Sequence, residues 1–400
     1  MTTDVWSTPE RLALRSLARD FTAREVVPHL DEWEAAGELP RSLHEKAAAA
    51  GLLGVAFPES AGGQGGNAID AAIVSEEILY TGGSSGLLAS LFTHGIALPH
   101  IVGSGNADLV DRYAKPTLAG QLIGSLAVTE PDAGSDVAGV RTRAVRDGDA
   151  YVVNGAKTFI TSSTRADFVT TLVRTGDDPH HGLSLLVVDT SAPGFSVVRR
   201  LDKMGWLCSD TGELAYVDVR VPAANLIGTE GSAFAQVARN FASERLGLAT
   251  HGYGVASRAL DLTIDWVRNR TAFGKPLIGK QVVRHKLVEM KRAVEVSRVY
   301  AHHVIERHAA GEQLFAEAAL AKNQCVAACE FVVNEAVQLH GGAGYMRGTE
   351  VERHYRDARI RRCRGCARRD RGDERPHREG AGLVTLSTGV AWSRNLLRWP

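Results

Sequence analysis

The spacing of apolar residues divides the chain into three parts. In residues 1–125 apolar residues recur at helical spacing, and the Ser-Thr-Pro-Glu sequence at 7–10 predicts a capping box for the first helix. Residues 126–231 contain short β-branched segments bounded by Gly, Asp, Pro or Ser, which predict antiparallel strands. The helical period returns over 232–360. The order α, β, α predicts a multidomain α+β fold and lacks the alternation of a doubly wound sheet.

Four segments carry the strand signal most clearly. They are residues 150–162, 167–175, 183–191 and 215–222. No internal repeat is evident, and no glycine cluster has the G-x-G-x-x-G or Walker spacing of a nucleotide-binding loop. The middle of the chain is therefore expected to be a β domain rather than a Rossmann domain.

Composition is typical of a globular protein, with 44% hydrophobic and 23% charged residues among 400 and a net charge of zero. Five cysteines do not make a disulfide framework, which favours a reducing compartment. The N-terminus carries charges where a signal peptide is apolar, and no run approaches the eighteen or so apolar residues of a membrane helix. We expect a cytoplasmic protein with no membrane partner.

Residues 361–378 differ from the rest of the chain because they hold eight arginines against three acids. His377 is their only aromatic side chain, so a nucleic-acid site is not expected, and a solvated basic tail is the simpler interpretation. Cys363 and Cys366 lack a second ligand pair at zinc-finger spacing. No metal site is predicted.

Two stretches are candidates for ligand binding. In "LAVTEPDAGSDVAGV", Thr129, Ser135 and free backbone N–H groups could hold a phosphate or a polar ring edge, although an ordinary turn has the same composition. In "NGAKTFITSS", Phe159 and Thr161 alternate with Ile160, so both would face one side of a strand. One could stack on a flat ring while the other donates a hydrogen bond; the alternative is a half-buried structural strand.

Four motifs in order, "TEPDAGSD", "NGAKTFIT", "RTAFGKPL" and "AVQLHGGAGYMR", resemble the acyl-CoA dehydrogenase family over roughly residues 8–360. The resemblance implies an N-terminal helical domain, a middle β domain and a C-terminal four-helix bundle, with FAD between the last two. It also implies that Thr129 and Thr161 hydrogen-bond the flavin and that Phe159 lies against one flavin face. Ser135 would lie in a turn at the entrance of the site for the cofactor and the thioester.

The same resemblance implies that sites are shared between subunits. Arg270, Phe273, Gln338 and Gly342 match positions that reach the adenine-diphosphate half of FAD bound by a neighbour. The protein is therefore expected to be a homo-oligomer, most often a tetramer. His340 lies in this region and is interpreted as a packing residue rather than a catalytic one, and His302 and His303 are interpreted as ordinary helix residues.

The implied reaction is α,β-dehydrogenation of an acyl thioester. A carboxylate removes the α-proton, the β-hydrogen passes as hydride to flavin N5, and an electron-transfer flavoprotein takes the electrons. The loop position that holds the base in many members aligns with Gly365, whose backbone N–H would polarise the thioester carbonyl. The Glu-Arg-Leu triplet of the long-chain and isovaleryl branches is present instead, so Glu244 is the candidate base. Burial in an apolar pocket would raise its pKa towards neutrality.

Arg245 matches a helix arginine near the ligand mouth, and a surface salt bridge is the alternative for it. The acyl pocket is expected between residues 86–101 and the helix that carries Glu244. After Ile360 the family pattern is lost, yet suitable codons read one base later give a family-like ending, which suggests a shifted reading frame. Sequencing codons 355–385 tests this hypothesis.

Alternatives on the same fold are a dehydrogenase that acts on an acyl-carrier protein in secondary metabolism, an acyl oxidase and a flavin monooxygenase. Glu244 argues against the monooxygenase, which needs no α-proton base. A flavin-binding protein inactivated by its altered C-terminal loop is the non-enzymatic alternative.

Overall fold

The computed structural model describes residues 4–360, and its N-terminal part is helical. The helices are α1 (Pro9–Phe21), α2 (Leu30–Ala36), α3 (Arg41–Ala49), α4 (Ala68–Tyr80), α5 (Ser85–Leu91), α6 (His94–Gly103), α7 (Ala107–Leu109) and α8 (Lys115–Leu118). Thr8 caps α1, because its hydroxyl accepts from the Arg11 N–H at 3.4 Å. The predicted capping box is thus wrong by one residue, since the Ser7 hydroxyl donates to Asp4 instead.

The stretch Ser85–Gly103 is long and apolar enough to cross a membrane by length and composition, which the sequence expectation overlooked. In the structure it is divided between α5 and α6, and 61% of it is buried against the rest of the chain. Helices in the core of a globular fold have the same composition, so this feature is weak support for a membrane span.

The middle part is one eight-stranded sheet. Its strands are β1 (Gly124–Ala127), β2 (Arg143–Asp147), β3 (Ala150–Thr161), β4 (Phe168–Arg174), β5 (Leu183–Asp189), β6 (Phe195–Arg200), β7 (Thr211–Pro222) and β8 (Leu226–Ile227). The order is β6-β7-β3-β2-β4-β5-β8, with β1 beside β4. The four predicted strands are confirmed as β3, β4, β5 and β7. The sheet is mainly antiparallel, as predicted, and the exceptions are the parallel pairings of β4 with β1 and β2.

Strands β4 and β5 form the centre of this part because both of their faces are buried. Phe168 and Leu172 of β4 pack with Leu98 of α6 on one face. Val169 and Val173 pack with Tyr216 of β7 on the other face. Alternate apolar residues therefore hold α6 against the sheet, which places α6 beside the end of β1.

The C-terminal part is helical again. It contains α9 (Ala233–Asn269), α10 (Gln281–Ala309), α11 (Phe315–His340), α12 (Gly342–Tyr345) and α13 (Glu350–Ala358), with the hairpin of β9 (Thr271–Ala272) and β10 (Lys275–Pro276). Helices α9, α10 and α11 pack on one another, and α13 packs on α9 and α11. The described residues thus supply three long helices of the predicted four-helix bundle together with the shorter α13.

Candidate active site

A cavity of about 590 Å³ lies between α4, α6, α9, α10 and residues 52–58. Its wall includes Phe57, Ala72, Phe92, Pro99, Phe241, Glu244, Leu248 and Ile305. Residues from 86–101 and from the helix of Glu244, which were predicted to line the acyl pocket, both line this cavity. The contributions of α4 and residues 52–58 were missed, because their apolar residues are indistinguishable in sequence from ordinary core.

Glu244 reaches this cavity from α9. Phe241 and Leu248, one helical turn to either side, also line the cavity. Within residues 4–360 the half-buried carboxylate has no hydrogen bond or ion pair. A carboxylate in an apolar cavity without a protein partner is available to accept a proton from a ligand.

Arg245 lies beside the same cavity. Its guanidinium carbon is 6.0 Å from the centre of the Phe241 ring, at the outer limit of a cation–π contact. The described part of the chain offers it no ion pair. This arrangement supports the position near the ligand and gives no support to the surface salt bridge.

Burial favours the uncharged form of two of the four histidines that line the cavity. Burial lowers the pKa of His94 and of His100 to about 4 in each case. His94 Nε2 lies 2.8 Å from the Leu53 carbonyl oxygen, and the Asn240 amide lies 2.9 Å from the His100 ring. Neutral imidazoles at pH 7 leave the environment of Glu244 without positive charge from these two residues.

Trp206 is a cavity residue that sequence reasoning missed. Its φ angle is 54°, which is unusual for a bulky residue. The Asp357 carboxylate accepts from its backbone N–H at 2.7 Å, and its indole N–H donates to the Ser85 hydroxyl at 2.8 Å. These buried contacts fix the indole in the wall, and no local sequence signal predicts them.

The two candidate ligand-binding stretches lie against each other. The Thr129 hydroxyl donates to the Thr158 carbonyl at 2.5 Å, and the Thr158 N–H donates to the Thr129 carbonyl at 2.9 Å. Leu126, on the strand that leads to Thr129, lines the cavity. The predicted flavin edge and the cavity are therefore adjacent.

A buried ion pair supports this junction. Lys157 Nζ lies 2.9 Å from Glu130, and the side chains are 0% and 7% exposed. Burial lowers the pKa of Lys157 to about 8, against the opposing effect of the Glu130 carboxylate. Glu130 also accepts from the N–H groups of Arg141 and Thr142 at 2.7 and 2.9 Å. The Glu130 carboxylate thus joins the two ends of the loop that contains Ser135, which is exposed.

Phe159 and Thr161 do not share one environment as the alternation predicted. A register shift in the β3–β7 pairing falls between Lys157 and Ile160, and Phe159 has a φ angle of 61°. Phe159 is 70% exposed, whereas Thr161 is 7% exposed. A bulge inserts an extra residue, so strict alternation fails across it. The bulge turns the aromatic ring outward.

Arg270, Phe273, Gln338 and Gly342 are exposed at the ends of α9 and α11. Trp266 and His340 stack with ring centres 5.0 Å apart and join these ends. Phe273 is 94% exposed and occupies, with Gly274, a two-residue hairpin turn at positive φ. The predicted residues are therefore grouped on one surface rather than in the cavity.

His340 has the packing role that was predicted for it, whereas His302 differs from the prediction. His340 Nδ1 lies 2.8 Å from the Ala336 carbonyl in addition to the Trp266 stack, as the packing interpretation predicts. His302 is not an ordinary helix residue, because its Nε2 lies 2.8 Å from the buried carboxylate of Glu76. Gly365, Cys363 and Cys366 lie outside the described residues.

Models of three acyl-CoA dehydrogenase domains match the chain: the N-terminal domain at residues 8–121, the middle domain at 125–219 and the C-terminal domain at 231–365. The mitochondrial long-chain specific acyl-CoA dehydrogenase of Sus scrofa is 38% identical over 349 residues, covering 86% of this chain and 81% of its own.

Solved structures agree with the family models. A probable acyl-CoA dehydrogenase from Mycobacterium abscessus is 61% identical, with a TM-score of 0.89 over 90% of this chain and 96% of its own. A glutaryl-CoA dehydrogenase from Mycobacterium smegmatis in complex with FADH2 is 27% identical, with a TM-score of 0.84 over 91% of this chain and 92% of its own. The chain therefore belongs to the acyl-CoA dehydrogenase family, whose members are FAD-dependent oxidoreductases that dehydrogenate acyl-CoA. The carrier-protein and inactive alternatives are not favoured.

The residues present fit FAD. An exposed aromatic ring at positive φ is unfavourable unless it serves a contact, and Phe159 presents such a ring directly after Thr158, which exchanges hydrogen bonds with Thr129. A Cβ added at Gly134 or Gly342 would meet nothing within 4 Å, so both loops leave open space at their surfaces. Thr129, Phe159 and Thr161 are the residues that we expect to hold the isoalloxazine.

Proposed function

We propose that Glu244 is the base that removes the α-proton of an acyl-CoA substrate. The observation that carries this proposal is the unpaired, half-buried carboxylate in an apolar cavity next to the predicted flavin edge. When bound, FAD supplies the acceptor for the β-hydrogen. The chain's own contribution is to bind the acyl group, exclude water and place a carboxylate at the α-carbon.

The cavity suits a substantial acyl chain. Its volume of about 590 Å³ lies in the middle of the range for small-molecule sites, and its wall is mainly apolar. The favourable free energy of burying each methylene, about 0.8 kcal/mol, supports binding of medium and long chains. The similarity to a long-chain specific relative supports the same class. On the same grounds we propose a role in fatty acid β-oxidation.

The electron acceptor proposed for the protein is an electron-transfer flavoprotein, as the family resemblance implies. We also propose a homo-oligomer, in which Arg270, Phe273, Gln338 and Gly342 reach FAD bound by a neighbouring subunit. The support is that all four residues are exposed in the single chain. Phe273 is 94% exposed, and without a neighbouring subunit its aromatic ring would remain in water. Sedimentation of the purified protein tests the oligomer.

Product analysis tests the proposed reaction. The purified protein is incubated with a series of straight-chain acyl-CoAs and an electron-transfer flavoprotein or a dye acceptor. We expect a product that has lost two hydrogens and carries a trans double bond next to the thioester, formed from medium and long chains. Formation of a hydroxylated product, or no product with any acyl-CoA, would contradict the proposal.

A further inference from the structure

Helix α9 contains three glycines, and packing explains two of them. A Cβ at Gly252 would lie 3.0 Å from the backbone of Cys325, and one at Gly254 would lie 2.6 Å from the Leu79 side chain. A Cβ at Gly247 would meet nothing within 4 Å. Because glycine is unfavourable inside a helix, a glycine that packing does not require indicates another constraint at that position.

Gly247 lines the cavity one helical turn after Glu244. Residues three apart lie on the same face of a helix, and side chains lean towards the N-terminus of their helix. A side chain at position 247 would therefore cover the surface next to the Glu244 carboxylate. Glycine keeps that space open at the point where the base meets its substrate.

Helix α6 also contributes glycines that leave open space in the cavity wall. Gly95 and Gly103 line the cavity, and a Cβ at either position would meet nothing within 4 Å. The contact between Asn240 and His100 holds this helix beside α9. Glycines on two helices thus leave open space along the cavity wall, which an unbranched acyl chain does not require.

We infer that Gly247 is a specificity-determining residue, and that its open space accommodates a substituent on the acyl chain close to the carbon that loses its proton. The substrates would be acyl-CoA thioesters with a methyl branch or a ring on the first carbons. This inference rests on the proposed function, because it takes Glu244 as the base.

The test compares octanoyl-CoA with its isomer that carries a methyl branch on the carbon next to the thioester. The wild type should oxidise both. In Gly247→Ala, the ratio of kcat/KM for the branched isomer to that for octanoyl-CoA should fall by at least about tenfold, which corresponds to about 1.4 kcal/mol in the transition state. The thermal unfolding temperature of this variant should not fall, because alanine is the better helix former.

Ala238→Gly is the matched control, since Ala238 is exposed on α9 and does not line the cavity. It should lower the unfolding temperature and leave the ratio unchanged. An equal loss for both substrates, an unchanged ratio or loss of bound flavin in Gly247→Ala would overturn the inference. A wild type that oxidises octanoyl-CoA alone also overturns it and leaves the proposed function standing. A wild type that oxidises neither defeats both.

Discussion

Backbone strain at aromatic residues marks the predicted binding surfaces of this protein. Among residues 4–360, positive φ angles occur at five residues other than glycine, and three of these are Phe159, Trp206 and Phe273. Such conformations cost on the order of 1–3 kcal/mol each and persist where the surroundings impose them. Phe159 and Phe273 were predicted to contact FAD, and Trp206 lines the cavity. The strain at Phe159 supports its assignment independently of the sequence motif, whereas the hairpin turn accounts for the φ angle of Phe273.

Phe159→Ala should weaken FAD binding by about tenfold or more, because the variant loses the ring expected against the flavin. The apoprotein should keep its thermal stability, since the ring is 70% exposed and contributes little to the core. FAD affinity is measured by fluorescence titration of the apoprotein. Val217→Ala, which removes another exposed apolar side chain of the same sheet, should leave FAD affinity unchanged. Equal FAD affinity in wild type and Phe159→Ala would remove Phe159 from the site.

Sequence reasoning located single residues better than it located their orientation. The motif around Phe159 gave its identity and expected role, but the bulge that turns its ring outward depends on the pairing of β3 with β7. Trp206 had no motif, because Asp357 and Ser85, which fix it, lie far away in sequence. Contacts between distant segments are not encoded in local spacing.

At the scale of elements, the loop between β1 and β2 depends on one buried ion pair. Glu130 accepts from Lys157 and from two backbone N–H groups, so it joins the loop to β3. Removing one partner of a buried pair leaves the other charge without compensation. Removal of either charge should therefore destabilise both the loop that carries Ser135 and the strand that carries Phe159.

Lys157→Met should lower the free energy of unfolding by about 3–5 kcal/mol, because it leaves the Glu130 carboxylate buried without its cation. Urea denaturation measures this loss. Lys46→Met is the control: Lys46 pairs with Glu25 at the surface, so the cost should stay below about 1 kcal/mol. Addition of Glu130→Gln to Lys157→Met should recover part of the stability. Equal costs for the Lys46 and Lys157 variants would refute the structural role of the pair.

Elements with a strong local pattern were predicted closely, and those that depend on pairing were not. The β-branched segments gave β3, β4 and β5 to within two residues at each end, and β7 except for its first four residues. Strand β6, by contrast, is an exposed edge strand without alternating burial, and β1 has only four residues. A weak or short pattern gives no signal above that of a loop, so these strands become visible only through their partners.

At the scale of the whole molecule, buried neutral histidines make stability depend on pH. Burial, reinforced by the Arg165 charge, lowers the pKa of His44 to about 3, and burial lowers that of His94 to about 4. In the unfolded chain each imidazole takes up a proton near pH 6.5, whereas the folded state stays neutral. Protonation of these two histidines in the unfolded chain therefore costs no stability above pH 6.5, and the free energy of unfolding falls as the pH drops from 6.5 towards 4.

His44→Phe should reduce this acid sensitivity. Each such histidine costs about 1.4 kcal/mol of stability for each pH unit below its unfolded pKa, and phenylalanine cannot be protonated. Thermal unfolding at pH 7 and pH 5 measures the effect, with His303→Phe as an exposed control. The same fall in unfolding temperature in wild type and His44→Phe would show that His44 does not contribute.

The overall architecture could be predicted from the sequence, and the cavity only in part. Periodicity predicted the three regions, and the resemblance to the acyl-CoA dehydrogenase family implied FAD and the candidate base Glu244. The depth and width of the cavity depend on small residues of α4, α6 and α9 that face one another only after folding. Substrate preference is therefore a property of packing, and Gly247 could not be singled out before its neighbours were known.

Anaerobic reduction of the bound flavin tests the central claim most directly, because it reports the dehydrogenation itself, loss of the α-proton together with transfer of the β-hydrogen, apart from reoxidation of the flavin by the electron acceptor. Wild type, Glu244→Gln and the control Glu289→Gln, an exposed residue of α10, are mixed with an acyl-CoA and the flavin absorbance is followed. We predict rapid bleaching in the wild type and control, and a rate about 10³-fold lower in Glu244→Gln with its flavin still bound. Bleaching of Glu244→Gln at the wild-type rate would contradict the account.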